Sequence, residues 1–265
     1  MAERSVVTTS YGEVGVRCVG SGEPTVVLLH GIPGSGQTWT AVAELVGARS
    51  RVLVPDLIGF GASARSDDPD VLHADGQARV LEEVLAQLEP GRFVVVGHDF
   101  GGPVALVLAR RRPELVGGVG LLATNAFGDT PIPFPLSAVT WRGLGRPAGW
   151  ALFSGPSLRL LLRRGAGRPA PTTDIDAAVG DAGQRRAIRL IFQASLTRLA
   201  DLYGPIQDGL GGIAVPTLVG WGERDPFFSL QQGRRTAAAI PGAWFRLYEG
   251  AGHFLPEERP REVAA

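Results

Sequence analysis

Lysine is absent, so all 26 basic residues of this 265-residue chain are arginine, and 26 acidic residues balance them. A net charge of zero provides neither the basic footprint of a nucleic-acid binder nor a polybasic patch for a membrane, so neither is expected as a partner. The single cysteine, Cys18, excludes an internal disulfide. No apolar h-region follows Met1 and no run of 18 apolar residues occurs, so neither a secretory signal nor a spanning helix is expected. These absences lead us to expect a soluble, cytoplasmic protein, and they leave its oligomeric state open.

Apolar residues, by contrast, are plentiful at 45%. A chain of this size should bury about 70–75% of its unfolded surface, enough for one large domain or a domain carrying an insertion. The most informative stretch is Val94-Val95-Val96-Gly97-His98-Asp99-Phe100-Gly101-Gly102-Pro103-Val104-Ala105-Leu106. Three β-branched residues suit a strand covered on both faces, and the glycines at 97 and 101 let strand and helix approach across an abrupt turn. Asp99 stands at the tip, the place a nucleophile elbow usually gives to serine. A carboxylate there is already ionised at neutral pH and can attack a carbon bearing a leaving group without first losing a proton.

Around this stretch the chain alternates strands and helices. Ser5–Thr9 and Val14–Val19 read as an N-terminal hairpin about Tyr11-Gly12. Thr25–Leu29 reads as a central strand running into His30-Gly31-Ile32-Pro33-Gly34, where the Ile32 amide can point toward the Phe100 amide as the second donor of an oxyanion hole. Arg51–Pro55 is a further strand, and the Asp56-Leu57-Ile58-Gly59-Phe60-Gly61 loop that follows reads as structural. Asp75–Leu88 has helical spacing, with His73 near its start. Helix Pro103–Arg110 and strand Val116–Ala123 follow, so a parallel sheet with its chemistry at the strands' carboxyl ends is expected, where His30, Asp99 and Asn125 fall.

From about residue 126 to 213 the alternation stops. Prolines interrupt the first part, and helices are expected at Leu158–Leu162 and Arg185–Leu202. We read 126–213 as a helical cap inserted into an α/β core made of 1–125 and 214–265. Its aromatics, Trp141, Trp150, Phe153, Phe192 and Tyr203, are candidates for its underside. The β/α pattern then resumes at Pro216–Asp225, a strand with an acid in the loop after it. Ala243–Tyr248 leads into Gly250-Ala251-Gly252-His253, and few residues remain for a last helix, expected to be short. In chain order the chemistry-bearing groups are Asp99, Asp225 and His253.

These ordered motifs resemble the α/β-hydrolase family, specifically its aspartate-nucleophile branch of epoxide hydrolases and haloalkane dehalogenases. The resemblance implies an α/β sheet flanked by helices, with a cap, needing neither cofactor nor metal. It also implies that Asp99 attacks, that His253 activates a water and that Asp225 orients the imidazole, while the Ile32 and Phe100 amides stabilise an oxyanion. Asn125 lies where some dehalogenases keep their acid, but an amide cannot be the anionic partner of a histidine. Dehalogenases of this branch hold the departing halide with N–H donors, commonly a tryptophan after the nucleophile and an asparagine near Ile32's position; Phe100 and Ile32 lack them. Epoxide hydrolases use two cap tyrosines on the ring oxygen. This cap contains Tyr203, with Trp141 or Trp150 as candidates for a second donor. The expectation is therefore an epoxide opened to a diol on a small hydrophobic substrate. Haloalkane dehalogenation and a lyase or cyclase on the same scaffold are the alternatives, and a non-catalytic receptor is the least expected.

Overall fold

The computed structural model describes residues 3–132, 134–165, 176 and 179–265. Its eight strands are β1 (Glu3–Thr9), β2 (Gly12–Val19), β3 (Thr25–Leu29), β4 (Val52–Pro55), β5 (Phe93–His98), β6 (Val116–Leu122), β7 (Thr217–Gly222) and β8 (Trp244–Tyr248). They form one sheet in the order β1-β2-β4-β3-β5-β6-β7-β8. The β1–β2 hairpin and the β2–β4 pair are antiparallel; every other pairing is parallel. Side chains alternate between two apolar cores: Val27 and Leu29 of β3 join one, and Leu28 joins the other. Both faces of the central strands are thus covered, as their nearly continuous apolar runs require.

Before the cap come helices α1 (Thr40–Gly47), α2 (Pro69–Leu72), α3 (Ala74–Leu88) and α4 (Gly101–Arg111). His73 caps α3 by accepting a hydrogen bond from the Gly76 amide, and Val80, Leu81, Val84 and Leu85 form its buried stripe. Every residue of α4 from Gly101 to Ala109 is buried, while Arg110 and Arg111 close its last turn, where cations complement the helix dipole. The strand order reverses at β3, which has β4 on one side and β5 on the other. The loops leaving β3 and β5 therefore open into a common crevice at the sheet's carboxyl edge.

Between β6 and β7 lie α5 (Gly145–Leu152), α6 (Gly155–Gly165), α7 (Ala182–Thr197) and α8 (Leu199–Gly209). The chain breaks at Arg198, which leaves helical geometry, so the single helix expected over Arg185–Leu202 is two. Helix α5 is not apparent from sequence because Gly145, Pro147 and Gly149 are poor helix formers. Its glycines serve close packing instead, since a Cβ on Gly145 would lie 2.2 Å from the Val139 carbonyl oxygen. Surface pairs tie these helices to the sheet domain, among them Arg65–Asp181 at 2.7 Å, Arg235–Asp129 at 2.6 Å and Arg186–Asp67. Each exposed pair contributes about 0–1 kcal/mol, so apolar burial beneath holds the helices in place. After β7 come α9 (Leu230–Ala239) and two short closing helices, α10 (Leu255–Glu258) and α11 (Pro260–Ala264).

Candidate active site

The elbow is built by contact distances that only glycine allows. A Cβ on Gly97 would fall 2.2 Å from the Gly101 carbonyl oxygen, and one on Gly101 would fall 2.3 Å from that of Leu29. Between them Asp99 has φ +50°, a left-handed conformation costing a non-glycine residue about 1–3 kcal/mol. Its backbone is held there: the amide donates to Leu122 O at 3.0 Å, and the carbonyl accepts from Thr124 Oγ1 at 2.5 Å and the Gly102 amide at 3.1 Å. The side chain projects over the sheet. Its Oδ1 accepts the Ile32 amide at 2.7 Å, and its Oδ2 lies 3.6 Å from His253 Nε2. Phe100 is the N-cap of α4, whose first amides have no partner within the helix, and it lines the space beside Asp99.

His253 stands behind Asp99. Its Nδ1–H donates to Asp225 Oδ2 at 2.9 Å, and Asp225 Oδ1 accepts the Phe227 and Phe228 amides at 2.8 and 3.0 Å. Edge-on rings of Phe227 and Phe254 enclose the imidazole, with centroids 5.0 and 5.1 Å away. Two further residues, not singled out from sequence, hold its backbone. Glu258 accepts the Gly252 amide at 2.7 Å with one oxygen and the Phe254 amide at 3.0 Å with the other, clamping the peptides on both sides of His253. His98 Nε2–H donates to the His253 carbonyl at 2.9 Å, leaving His98 Nδ1 buried without a partner. Adjacency to the histidine loop and to Asp99 is the only sequence signal that either residue carries.

Burial and charge set the protonation states. Burial disfavours a charged His253, but Asp225 and Asp99, by charge and by hydrogen bond, outweigh it and raise the imidazolium to about 10. For Asp99, burial opposes ionisation, while the neighbouring His253 and the Ile32 amide win and hold the carboxyl below its usual range. His98 is pushed down to about 4 by burial and by the neighbouring His253, so it stays neutral and keeps its tautomer. The two shifts favour an imidazolium at His253 facing an ionised Asp99.

A cavity of ≈ 150 Å³ opens above Asp99 and His253. Cap residues Phe153, Leu158, Leu162, Ile188, Ile191 and Phe192 form its apolar part, with Phe153 and Phe192 stacked 4.9 Å apart. Its polar groups include Asn125, Thr130, Ser195 and Tyr203. Asn125 is occupied within its own turn, bonding Phe127 and Thr130, while Asp56 accepts the Gly36 and Ala62 amides and is structural. Tyr203 forms no hydrogen bond among the described residues, and burial together with the facing Asp99 charge raises its phenol and keeps it protonated. Two expectations are corrected. Trp141 and Trp150 are 52% and 62% exposed and do not line the cavity: α5 turns its glycines inward and Trp150 out, and Trp141 ends the turn that precedes α5. Among the described residues no arginine or tryptophan lines it, and no cluster of His, Cys, Asp and Glu could hold a metal ion.

Comparison with known proteins agrees with this architecture. Residues 24–260 match the family described as alpha/beta hydrolase fold. The chain is 31% identical over 259 residues to a 2-hydroxy-6-oxononadienedioate/2-hydroxy-6-oxononatrienedioate hydrolase of Cupriavidus pinatubonensis, covering 91% of this chain and 84% of that protein. It is 30% identical over 257 residues to a haloalkane dehalogenase of Mycolicibacterium paratuberculosis, covering 91% and 81%. Among solved structures, the epoxide hydrolase CorEH superposes with a TM-score of 0.80 at 20% identity, covering 100% of this chain and 96% of that one, a likeness of fold.

Proposed function

The chain belongs to the α/β-hydrolase family, and within it we propose that it is a hydrolase that opens a neutral, hydrophobic epoxide to a diol through a covalent ester on Asp99. The observation that carries this reading is that two groups line one apolar cavity: the carboxylate of Asp99 at a strained elbow and the hydroxyl of Tyr203, which forms no hydrogen bond among the described residues; the shifts at both favour an ionised Asp99 and a protonated Tyr203. Asp99 Oδ2 attacks a ring carbon as its C–O bond breaks, and Tyr203 donates a proton to the departing oxygen, later regained from water. Esterification removes the Asp99 charge, one of the causes that hold the His253 imidazolium up. The imidazole then loses its proton to solvent and becomes a base. It takes a proton from a water attacking the ester carbonyl, the Ile32 and Phe100 amides stabilise the oxyanion, and the departing alkoxide receives the proton from His253.

Two alternatives are less well supported by the cavity. Expelling a halide calls for N–H donors, yet no tryptophan lines it: Trp221 Nε1 donates to Phe228 O, Trp39 lies in the opposite core, and Trp141, Trp150 and Trp244 are exposed. The Cupriavidus relative's name describes a dioate, and among the described residues that line this cavity there is no arginine to meet two carboxylates. The test is to incubate the protein with aryl and alkyl epoxides and the corresponding haloalkanes, assaying diol and halide, and to repeat the epoxides with His253→Gln under intact-protein mass spectrometry. Diol formation is expected, with His253→Gln gaining the mass of one substrate on the peptide that contains Asp99. Faster halide release, or turnover by the wild type with no adduct in His253→Gln, overturns the reading.

A further inference from the structure

The chain-wide charge balance conceals a local imbalance. From Thr130 to Thr173 there are six arginines and no acidic residue. Five of the eight large hydrophobic side chains exposed among the described residues fall in the same stretch: Phe134, Trp141, Leu144, Trp150 and Leu160. Helix α5 buries Gly145 and Gly149, which turns Arg146 and Trp150, one turn apart, outward together. Helix α6 buries Leu158 and Leu162 and turns out Leu160 and Arg163. Arg142, Arg146 and Arg163 make no ion pair among the described residues, and the Arg189 guanidinium sits 3.8 Å over the Trp150 ring.

From these observations we propose that the outer face of α5 and α6 is a peripheral docking surface for an anionic lipid bilayer. Uncompensated arginines complement lipid phosphates, exposed tryptophans suit the head-group region, and leucines reach the acyl boundary. The inner face of the same segment, through Phe153, Leu158, Leu161 and Leu162, lines the cavity above Asp99, so an apolar substrate dissolved in the bilayer would have a short path to it. Among the described residues no helix is long and apolar enough to cross a membrane, and the docking proposed is interfacial.

The test is sedimentation of the whole protein with vesicles of pure phosphatidylcholine or of phosphatidylcholine and phosphatidylglycerol in equal amounts, with tryptophan fluorescence as a second readout. Binding is expected to the anionic vesicles, weakening as salt screens it, with a blue-shifted emission. Arg142→Gln/Arg146→Gln should bind roughly thirtyfold more weakly, at about 1 kcal/mol per arginine, and unfold at the wild-type temperature. Trp150→Ser should weaken binding and reduce the blue shift. Asp99→Asn should bind as wild type, so failure of the proposed chemistry leaves this readout intact. No binding to anionic vesicles at low salt, or undiminished binding by the double-arginine variant, overturns the proposal. So does a concentration-dependent dimer that buries the tryptophans without binding vesicles, which would assign the face to a second copy.

Discussion

Replacing Asp225 by asparagine exchanges an oxygen for an NH2 and should arrest the second half of the reaction while sparing the first. Asp225 Oδ1 accepts two amides, those of Phe227 and Phe228, and only Oδ2 meets His253 Nδ1. Turning the asparagine NH2 toward those two donors would leave both unsatisfied, at about 1–3 kcal/mol each, so the oxygen stays and the NH2 faces Nδ1. The neutral imidazole must then accept at Nδ1 and carry its proton on Nε2, the atom that should take one from water. In a serine-protease triad the corresponding reversal costs about 10⁴ in kcat, and loss of a general base costs about 10²–10⁴. We therefore expect ester hydrolysis to slow by roughly 10³–10⁴, while attack by Asp99, which needs no base, stays within about tenfold of wild type. Rapid mixing with an epoxide followed by intact-protein mass spectrometry should find nearly all the enzyme esterified. Asp225→Ala makes the comparison sharp. It leaves the same two amides unpaired and should be less stable by about 2–6 kcal/mol, yet its imidazole can choose either tautomer, so it should turn over faster than Asp225→Asn. An asparagine variant faster than the alanine variant, with no accumulated ester, would refute the tautomer argument.

Further outcomes follow from the same geometry. Tyr203→Phe should slow ester formation by about 10² and leave ester hydrolysis unchanged, as single-turnover kinetics would resolve; equal slowing of both steps would make Tyr203 a packing residue. Glu258→Ala frees the peptides flanking His253 and should slow hydrolysis of the ester about tenfold or more with formation intact, whereas Glu258→Gln, which keeps one acceptor, should lie between; this is checked by the same kinetics. The raised His253 stabilises the fold fully below its unfolded value of about 6.5, and that contribution should fade as pH rises through about 10. The depressed Asp99 carboxyl works in the opposite sense: its contribution is present above its unfolded value and is lost as pH falls through its lower folded value. Urea unfolding across pH should show both slopes, and His253→Gln should abolish the alkaline one.

Much of the site was legible because its parts are local. Each proposed triad residue sits in a short loop directly after an apolar strand, and glycines that only close approach explains mark the elbow. The outward turn of Trp150 was not legible: a side chain's direction depends on the phase of its helix, and α5's phase is set by how closely Gly145 meets Val139, a contact absent from the sequence pattern; the exposure of Trp141, in the turn before α5, was not legible either. Glu258 and His98 were missed for a related reason: nothing local shows that the Glu258 carboxylate folds back on the amides of Gly252 and Phe254, or that the buried His98 imidazole meets a backbone carbonyl of a distant segment.

The sequence by itself determined which groups exist, their order and the turns that expose them, because strand–loop–helix geometry is encoded within about ten residues. Only the tertiary structure decided that Asp99, Ile32 and His253, scattered over more than two hundred positions, meet: the Ile32 amide lies 2.7 Å and the His253 ring nitrogen 3.6 Å from the Asp99 carboxylate. Parallel pairing from β4 through β3, β5, β6 and β7 to β8 sets the carboxyl ends of these six strands along one edge, and residues from the helices between β6 and β7 close over Asp99 there. Register between strands and the phase of covering helices are properties of packing, and no single segment carries them.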